Sequence, residues 1–187
     1  MMKSCICLDH LTKRQVAVLK KIRILGIDPG YAIVGYGVIN YEANRFQVLD
    51  YGAITTSAGM PFVERLDVID RDLNMIFEKY HPQAMAIEKL FYNTNAKTVI
   101  DVAQARGVTV LAAYRHKAEI FEYTPLQVKQ SVVGYGRAEK KQVQEMTRVI
   151  LNLEKVPKPD DTADALAMAI CHAHSSGSLM GKLKNLK

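Results

Sequence analysis

Acidic side chains occur at four positions where the sequence predicts that a strand ends or a helix begins. They are Asp28, Glu88, Asp161 and Asp164. Carboxylates that converge repel one another and need cations between them. Because hard oxygen ligands favour Mg²⁺ or Mn²⁺ over zinc, this set predicts a site for two divalent ions. Two ions roughly 4 Å apart can bind the attacking and leaving oxygens of a phosphoryl displacement, so the expected reaction is metal-assisted phosphodiester hydrolysis.

Each of these acids also has an ordinary structural explanation. Asp28 begins an Asp-Pro-Gly sequence, which is common turn chemistry. Asp161 and Asp164 are three residues apart on one helix face, where acids in a first turn suit the helix dipole. Glu88 is harder to explain in this way. It ends an apolar strand expected to be buried on both faces, where a carboxylate needs a partner or a metal.

The periodicity of apolar residues predicts an α/β domain with a mixed sheet. Strands are expected at 23–28, 33–41, 46–56, 84–88 and 118–123. Helices are expected from Pro61 to about residue 80, from about residue 95 to 114, after Pro125, and over 139–152 and 161–173. The first three strands should form an antiparallel meander, followed by two parallel strands.

This order of elements predicts where the acids meet. A right-handed crossover places strand 84–88 beside strand 23–28, so Asp28 and Glu88 should face one crevice at the carboxyl ends of the strands. Alanines around Asp164 let the last helix lie close to the sheet, which brings its first turn to the same crevice. Gly107 inside the second long helix predicts that this helix packs closely against a neighbour.

Basic and aromatic residues near the predicted crevice are candidates for contacts with nucleic acid. A glycine-bracketed loop at 134–136 is surrounded by basic side chains, which could hold a phosphate and stabilise transition-state charge. These are Lys129, Arg137, Lys140 and Lys141. The alternative is a solvated helix face with Glu139 as a local partner. Phe91 and Tyr92 follow Glu88 closely and could stack on unpaired bases, although core packing is the alternative.

The charge of the chain is unevenly distributed. The 187 residues are 49% hydrophobic and carry a net charge of +6. Residues 1–23 contribute +5 and residues 174–187 contribute +3, which leaves the body at −2. The net charge therefore does not indicate DNA binding by the body of the chain, which would require local clusters of basic residues. We expect an N-terminal extension at 1–22, a nuclease domain at 23–174 and a basic tail at 175–187.

Apolar runs and cysteine usage indicate the cellular compartment. No apolar run approaches the roughly 20 residues of a membrane span. Three cysteines without framework spacing argue against structural disulfides, so a cytoplasmic protein is expected. Cys5, Cys7 and His10 would make an incomplete metal site, and free thiols are the simpler interpretation.

Several ordered motifs resemble the RuvC family of Holliday-junction resolvases across residues 23–174. They are Gly26-Ile27-Asp28-Pro29-Gly30, Gly35-Tyr36-Gly37-Val38-Ile39, Ala86-Ile87-Glu88, Ala103-Gln104-Ala105-Arg106-Gly107, Val128-Lys129-Gln130-Ser131-Val132-Val133-Gly134, Ala138-Glu139-Lys140-Lys141-Gln142-Val143 and Asp161-Thr162-Ala163-Asp164-Ala165-Leu166-Ala167. The first motif alone is weak, whereas the ordered set is highly specific.

The resemblance implies a ribonuclease-H-like fold and a homodimer that cuts four-way DNA junctions by paired, symmetric nicks. Its catalytic acids would be the four carboxylates named above. They would bind two Mg²⁺ ions, which Mn²⁺ can replace. Lys129 and Lys140 would contact DNA near the scissile phosphate, and Phe91 would stack on opened junction bases. The helix around Gly107 would lie near the dimer interface. The implied partners are the branch-migration proteins RuvA and RuvB.

Other functions remain possible from the sequence. An RNA-processing nuclease of the same fold would use the same acids, and a junction-binding module without catalysis would retain the fold. Sugar kinases and actin-like ATPases share the strand-end Asp but generally repeat the domain, and this chain is too short for two. Family members usually begin near Arg23, so we expect residues 1–22 to be dispensable for cutting. Asp160 adds a carboxylate beside Asp161, expected to support the site or face solvent.

Overall fold

The computed structural model describes residues 21–89 and 96–177. Five strands form one sheet in the order β3-β2-β1-β4-β5. Their bounds are β1 Ile22–Asp28, β2 Ile33–Glu42, β3 Arg45–Thr55, β4 Ala84–Glu88 and β5 Glu119–Tyr123. The first three strands are antiparallel, and β1, β4 and β5 are parallel, which confirms the predicted mixed sheet.

Helices cover both faces of this sheet. Their bounds are α1 Phe62–Tyr80, α2 Ala96–Arg115, α3 Pro125–Val133, α4 Lys140–Ile150 and α5 Asp160–Gly177. Alternate residues of β1 point to opposite faces, as strand geometry requires. Leu25 and Ile27 pack in a core with α1 and α2, whereas Ile24 packs in a second core with α3, α4 and α5.

The register of the central strands sets the level of the acids. In the parallel β1–β4 pair Ile27 lies beside Ile87, so Asp28 and Glu88 end neighbouring strands at the same height. In the antiparallel β1–β2 pair Asp28 lies opposite Gly35. The predicted adjacency of the two strand ends is therefore confirmed.

Glycines in the sheet allow α5 to lie directly on it. A Cβ on Gly26 would overlap the backbone of Ala165, and a Cβ on Gly35 would overlap the carbonyl oxygen of Asp161. Gly37 is covered in the same way by Leu166. The sequence predicted this close approach from the alanines of α5, but the matching glycines of the sheet were not recognised.

The described part of a single chain makes no close packing at Gly107, so the predicted close packing against a neighbour stays a prediction. A Cβ at this position would meet no described atom within 4 Å. The buried side of α2 is instead formed by Ala105, Thr109 and Ala112, while Gly107 lies on the exposed side. The sequence alone does not distinguish a glycine on the buried face of a helix from one on its exposed face.

Some predicted features lie outside the described residues. They are Cys5, Cys7, His10, most of the extension at 1–22, Phe91, Tyr92 and most of the basic tail at 175–187. Ile22, assigned to the extension, belongs to β1. The three-part division of the chain stays a prediction. Cys171 is a free, buried thiol, and no helix among the described residues is long and apolar enough to cross a membrane.

Candidate active site

Three elements bring the four predicted acids to one end of the sheet. Asp28 and Glu88 end β1 and β4, and Asp161 and Asp164 lie in the first turns of α5. Electrostatic coupling links Asp28 to all three of the other acids. The structure therefore brings together the set that the sequence predicted.

The start of α5 is held in place by Thr162, which is fully buried. Its hydroxyl donates to the carbonyl of Gly52 in β3 at 3.0 Å, and its amide donates to the carbonyl of Pro159 at 3.0 Å. A buried polar group with its hydrogen bonds satisfied fixes a local geometry. The flanking acids Asp161 and Asp164 are thereby presented to the strand ends.

Burial and mutual repulsion disfavour the charged form of Asp28. Desolvation is the largest cause, followed by the charges of Asp164, Glu88 and Asp161, and together they raise the pKa of Asp28 to about 7. Lys140 opposes this shift. A carboxyl in this state gains from any cation that enters the cluster, because the cation favours ionisation.

Glu88 and Asp164 share this environment. Burial, then the charge of Asp164, raises the pKa of Glu88. Burial also raises the pKa of Asp164, although its hydrogen bond from Lys140 acts in the opposite direction. Several carboxyl groups whose pKa values are raised within one crevice are typical of a functional site.

Lys140 contributes a cationic side chain that contacts one of the four acids, Asp164. Its Nζ lies 2.9 Å from Oδ2 of Asp164 and 3.8 Å from Oδ2 of Asp160. Lys140 is the first residue of α4, whose start is capped by Gln142 accepting from the Glu139 amide at 2.8 Å. The hydrogen bond to Asp164 raises the pKa of Lys140, so it remains an ammonium.

The donor set fits hard divalent cations, although the side chains do not enclose one as they stand. Within 21–89 and 96–177, no three acidic, histidine or cysteine side chains are arranged closely enough to hold a metal ion. Carboxylate oxygens are nevertheless the ligands that Mg²⁺ and Mn²⁺ prefer. Ligation of an ion by Oδ2 of Asp164 would require Lys140 to leave that oxygen.

The other predicted DNA-binding residues are not brought into contact with the acids. Arg137 and Lys141 are exposed beside Lys140 in sequence, and Lys129 is half-buried on α3. None of the three forms an ion pair among the described residues. Arg137 and Lys141 are exposed and therefore accessible to phosphates. Phe91 lies outside the described residues.

Two further residues contact the site, of which the sequence analysis assigned a role only to Asp160. Arg106 of α2 pairs with Glu122 of β5, and its Nε approaches the carbonyl of Glu88 at 3.5 Å. Arg106 lies in a recognised motif, but no role for it was inferred. Asp160 contacts Lys140 and also accepts from Lys158 at 2.6 Å. The expectation that Asp160 supports the site came from its position next to Asp161.

Comparison with known proteins establishes the family. The sequence model of the family described as Crossover junction endodeoxyribonuclease RuvC matches residues 24–172. The chain belongs to the RuvC family. A RuvC relative from Alkaliphilus oremlandii is 66% identical over 152 residues, covering 81% of this chain and 93% of that protein.

Solved RuvC structures share the architecture of this chain. Thermus thermophilus RuvC is 33% identical with a TM-score of 0.77, and the match covers 83% of this chain and 95% of the other. A second structure shows the same RuvC in complex with a Holliday junction substrate, at 33% identity and a TM-score of 0.79, covering 83% and 94%. The ribonuclease-H-like fold implied by the sequence motifs is confirmed.

Proposed function

We propose that this chain resolves four-way DNA junctions by paired, symmetric nicks in recombination and repair. As a member of the RuvC family it is a crossover junction endodeoxyribonuclease, a hydrolase of phosphodiester bonds. The observation that supports a catalytic role is the convergence of Asp28 with Glu88, Asp161 and Asp164 at one end of the sheet. A junction-binding module without catalysis would have no need for several partly buried, mutually repelling acids in one crevice.

We propose that these four residues hold two Mg²⁺ ions, which Mn²⁺ can replace. Ions of this kind neutralise charge on the phosphate and lower the pKa of a bound water. The chain's own contribution is to fix the ligands. β1 and β4 present Asp28 and Glu88 at one level, and Thr162 fixes the first turn of α5.

Lys140 is the proposed catalytic cation of the protein itself. An ammonium at this point can stabilise negative charge that develops on the phosphate in the transition state. Exposed Arg137 and Lys141, with Lys129 on α3, would bind the neighbouring phosphates and give affinity without sequence information. The stacking role of Phe91 stays a prediction.

A homodimer would place two such sites on one junction. The exposed side of α2 carries Ile100, Leu111 and Tyr114, which are 65%, 45% and 75% exposed, and Gly107 lies between them. Apolar side chains at this helical spacing are suited to packing against a second copy of the same helix. Gly107 would allow the two helices to approach closely. Association with RuvA and RuvB, and a cytoplasmic location, complete the proposal.

The proposal is tested with a labelled synthetic four-way junction, in Mg²⁺ or in EDTA, on a denaturing gel. We expect nicks at symmetric positions on two opposing strands in Mg²⁺ only, and ends that a ligase can rejoin. Asp28→Asn and Glu88→Gln should abolish the nicks and retain junction binding. Failure to cut the junction in Mg²⁺ would contradict the proposal, as would a preference for structured RNA.

A further inference from the structure

The ammonium of Lys140 lies between two carboxylates of one helix. Asp160 and Asp164 are four residues apart, which places them on the same face of α5. Lys140 Nζ is 2.9 Å from Asp164 and 3.8 Å from Asp160. The other oxygen of Asp160 accepts from Lys158 at 2.6 Å. Asp160 therefore has one oxygen that is already paired and one that faces Lys140 at a longer distance.

Lys140 and a divalent ion compete for Asp164. If Asp164 is a metal ligand, as proposed above, the ammonium and the ion cannot both occupy its oxygen at close range, because two cations a few ångströms apart repel strongly. An ion that takes Oδ2 of Asp164 would therefore displace Lys140 from that oxygen. Among the described residues, Asp160 is the other carboxylate within 4 Å of its Nζ.

We propose that Asp160 is a positioning residue that accepts the Lys140 ammonium when a divalent ion occupies Asp164. The inference rests on the proposed function and deepens it, because it assigns a role to an acid outside the catalytic set. It also explains how Lys140 can give up its hydrogen bond to Asp164 and still remain beside the crevice, where it can reach a phosphate.

The surroundings of Asp160 suit this role. One oxygen of Asp160 is held by Lys158 at 2.6 Å, while its second oxygen lies 3.8 Å from Lys140 and can accept the ammonium after a small movement. Lys140 is half-exposed, and exposed ion pairs contribute little free energy. Exchange of Lys140 between two acceptors on the same helix face is therefore cheap, and a binding ion can drive it.

The test is the affinity of the full chain for Mn²⁺ without DNA, measured by electron paramagnetic resonance of the free ion. Lys140→Met removes the competing ammonium and should tighten Mn²⁺ binding about threefold. Lys141→Met is the matched control, because it removes the same charge from an exposed neighbour that has no ion pair among the described residues. It should change the affinity much less.

Asp160 is tested in the same assay through a double-mutant cycle. Asp160→Asn should weaken Mn²⁺ binding about threefold when Lys140 is present, and by much less in the Lys140→Met background. Asp160→Glu should restore most of the affinity. A purely structural role for Asp160 would produce the same loss in both backgrounds.

The possible failures are distinguishable. If the unsubstituted chain binds Mn²⁺ but Lys140→Met weakens or does not change the affinity relative to Lys141→Met, the inference is wrong and the proposed function stands. An equal effect of Asp160→Asn in both backgrounds also overturns the inference. Absence of Mn²⁺ binding by the unsubstituted chain would overturn the proposed metal site and the inference together.

Discussion

Asp28 lies directly opposite Gly35 in the β1–β2 ladder, and the bare backbone of Gly35 is covered by the carbonyl of Asp161. The lack of a side chain at Gly35 is what allows the first turn of α5 to reach the end of β1. The distance between the strand acids and the helix acids therefore depends on a residue that has no functional group.

Substitution of Gly35 should damage the site without removing any acid. Gly35→Ala places a methyl group on the backbone of Asp161 and must push α5 away from the sheet. We expect a loss of about 1–3 kcal/mol in the free energy of unfolding. Junction cutting should fall by more than tenfold, because small misplacements of reacting groups are costly. Urea titration and single-turnover cleavage measure the two effects.

Gly59→Ala is the matched control, since a Cβ on Gly59 would meet no described atom within 4 Å. Its stability and cutting rate should remain close to those of the unsubstituted chain. Normal cutting by Gly35→Ala would show that α5 can shift without cost to the site.

The affinity for divalent ions should depend on pH. Asp28 has a pKa of about 7 in the metal-free protein, so below that value a bound proton must leave before an ion can bind. The affinity should rise by up to about tenfold per pH unit below pH 7 for each proton displaced, and level off above it. Calorimetric titration with Mg²⁺ between pH 5.5 and 8.5 measures this profile.

Glu145→Gln provides the control for the pH profile, because Glu145 is paired with Arg148 on α4 and does not contribute to the shift of Asp28. Its slope should match that of the unsubstituted chain. An affinity that is flat from pH 5.5 to 8.5 would contradict the electrostatic account of the cluster.

Asp28→Asn should stabilise the metal-free protein at alkaline pH. The folded pKa of Asp28 is about 7, above its ordinary value of 3.8. The stability that protonated Asp28 gives the fold is therefore fully present below pH 3.8 and is lost as the pH rises through about 7. A neutral amide avoids this loss. Thermal unfolding in EDTA should show a gain of about 1–2 kcal/mol at pH 8 and a smaller gain at pH 5. An equal change at both values would count against the prediction.

A charge on the exposed side of α2 should prevent the proposed dimer. Leu111→Glu places a carboxylate among apolar side chains that would become buried between two copies, where an unpaired charge is costly. Sedimentation velocity should show dimers for the unsubstituted chain and monomers for this variant. Met75→Glu on α1, also at a half-exposed position, should leave the dimer intact. A monomeric unsubstituted chain would refute the proposed interface.

Local patterns were enough to predict the sheet and the acidic cluster. The apolar runs that end at Asp28 and Glu88 define two strands, and the handedness of the crossover makes them neighbours. The three-residue spacing of Asp161 and Asp164 places both on one helix face, close to the start of α5 at Asp160. Each inference used the period of a single element or a general rule of topology.

Features that depend on tertiary contacts were not predicted. The pairing of Lys140 with Asp164 joins two helices whose relative position no local pattern specifies. The packing of Gly35 against α5 depends on which face of β2 is covered, and the outward side of Gly107 could not be told from a buried one. The role proposed for Asp160 rests on its 3.8 Å distance to Lys140, which no local pattern specifies.

The central claim is that acids from two strands and one helix jointly bind divalent ions. Anomalous diffraction from a crystal of the chain grown in Mn²⁺ tests it most directly. We predict peaks in the crevice with an oxygen of Asp28 and oxygens of Glu88 or Asp164 at about 2.0–2.3 Å from the ions. Mn²⁺ bound only elsewhere, with Lys140 still on Asp164, would contradict the claim.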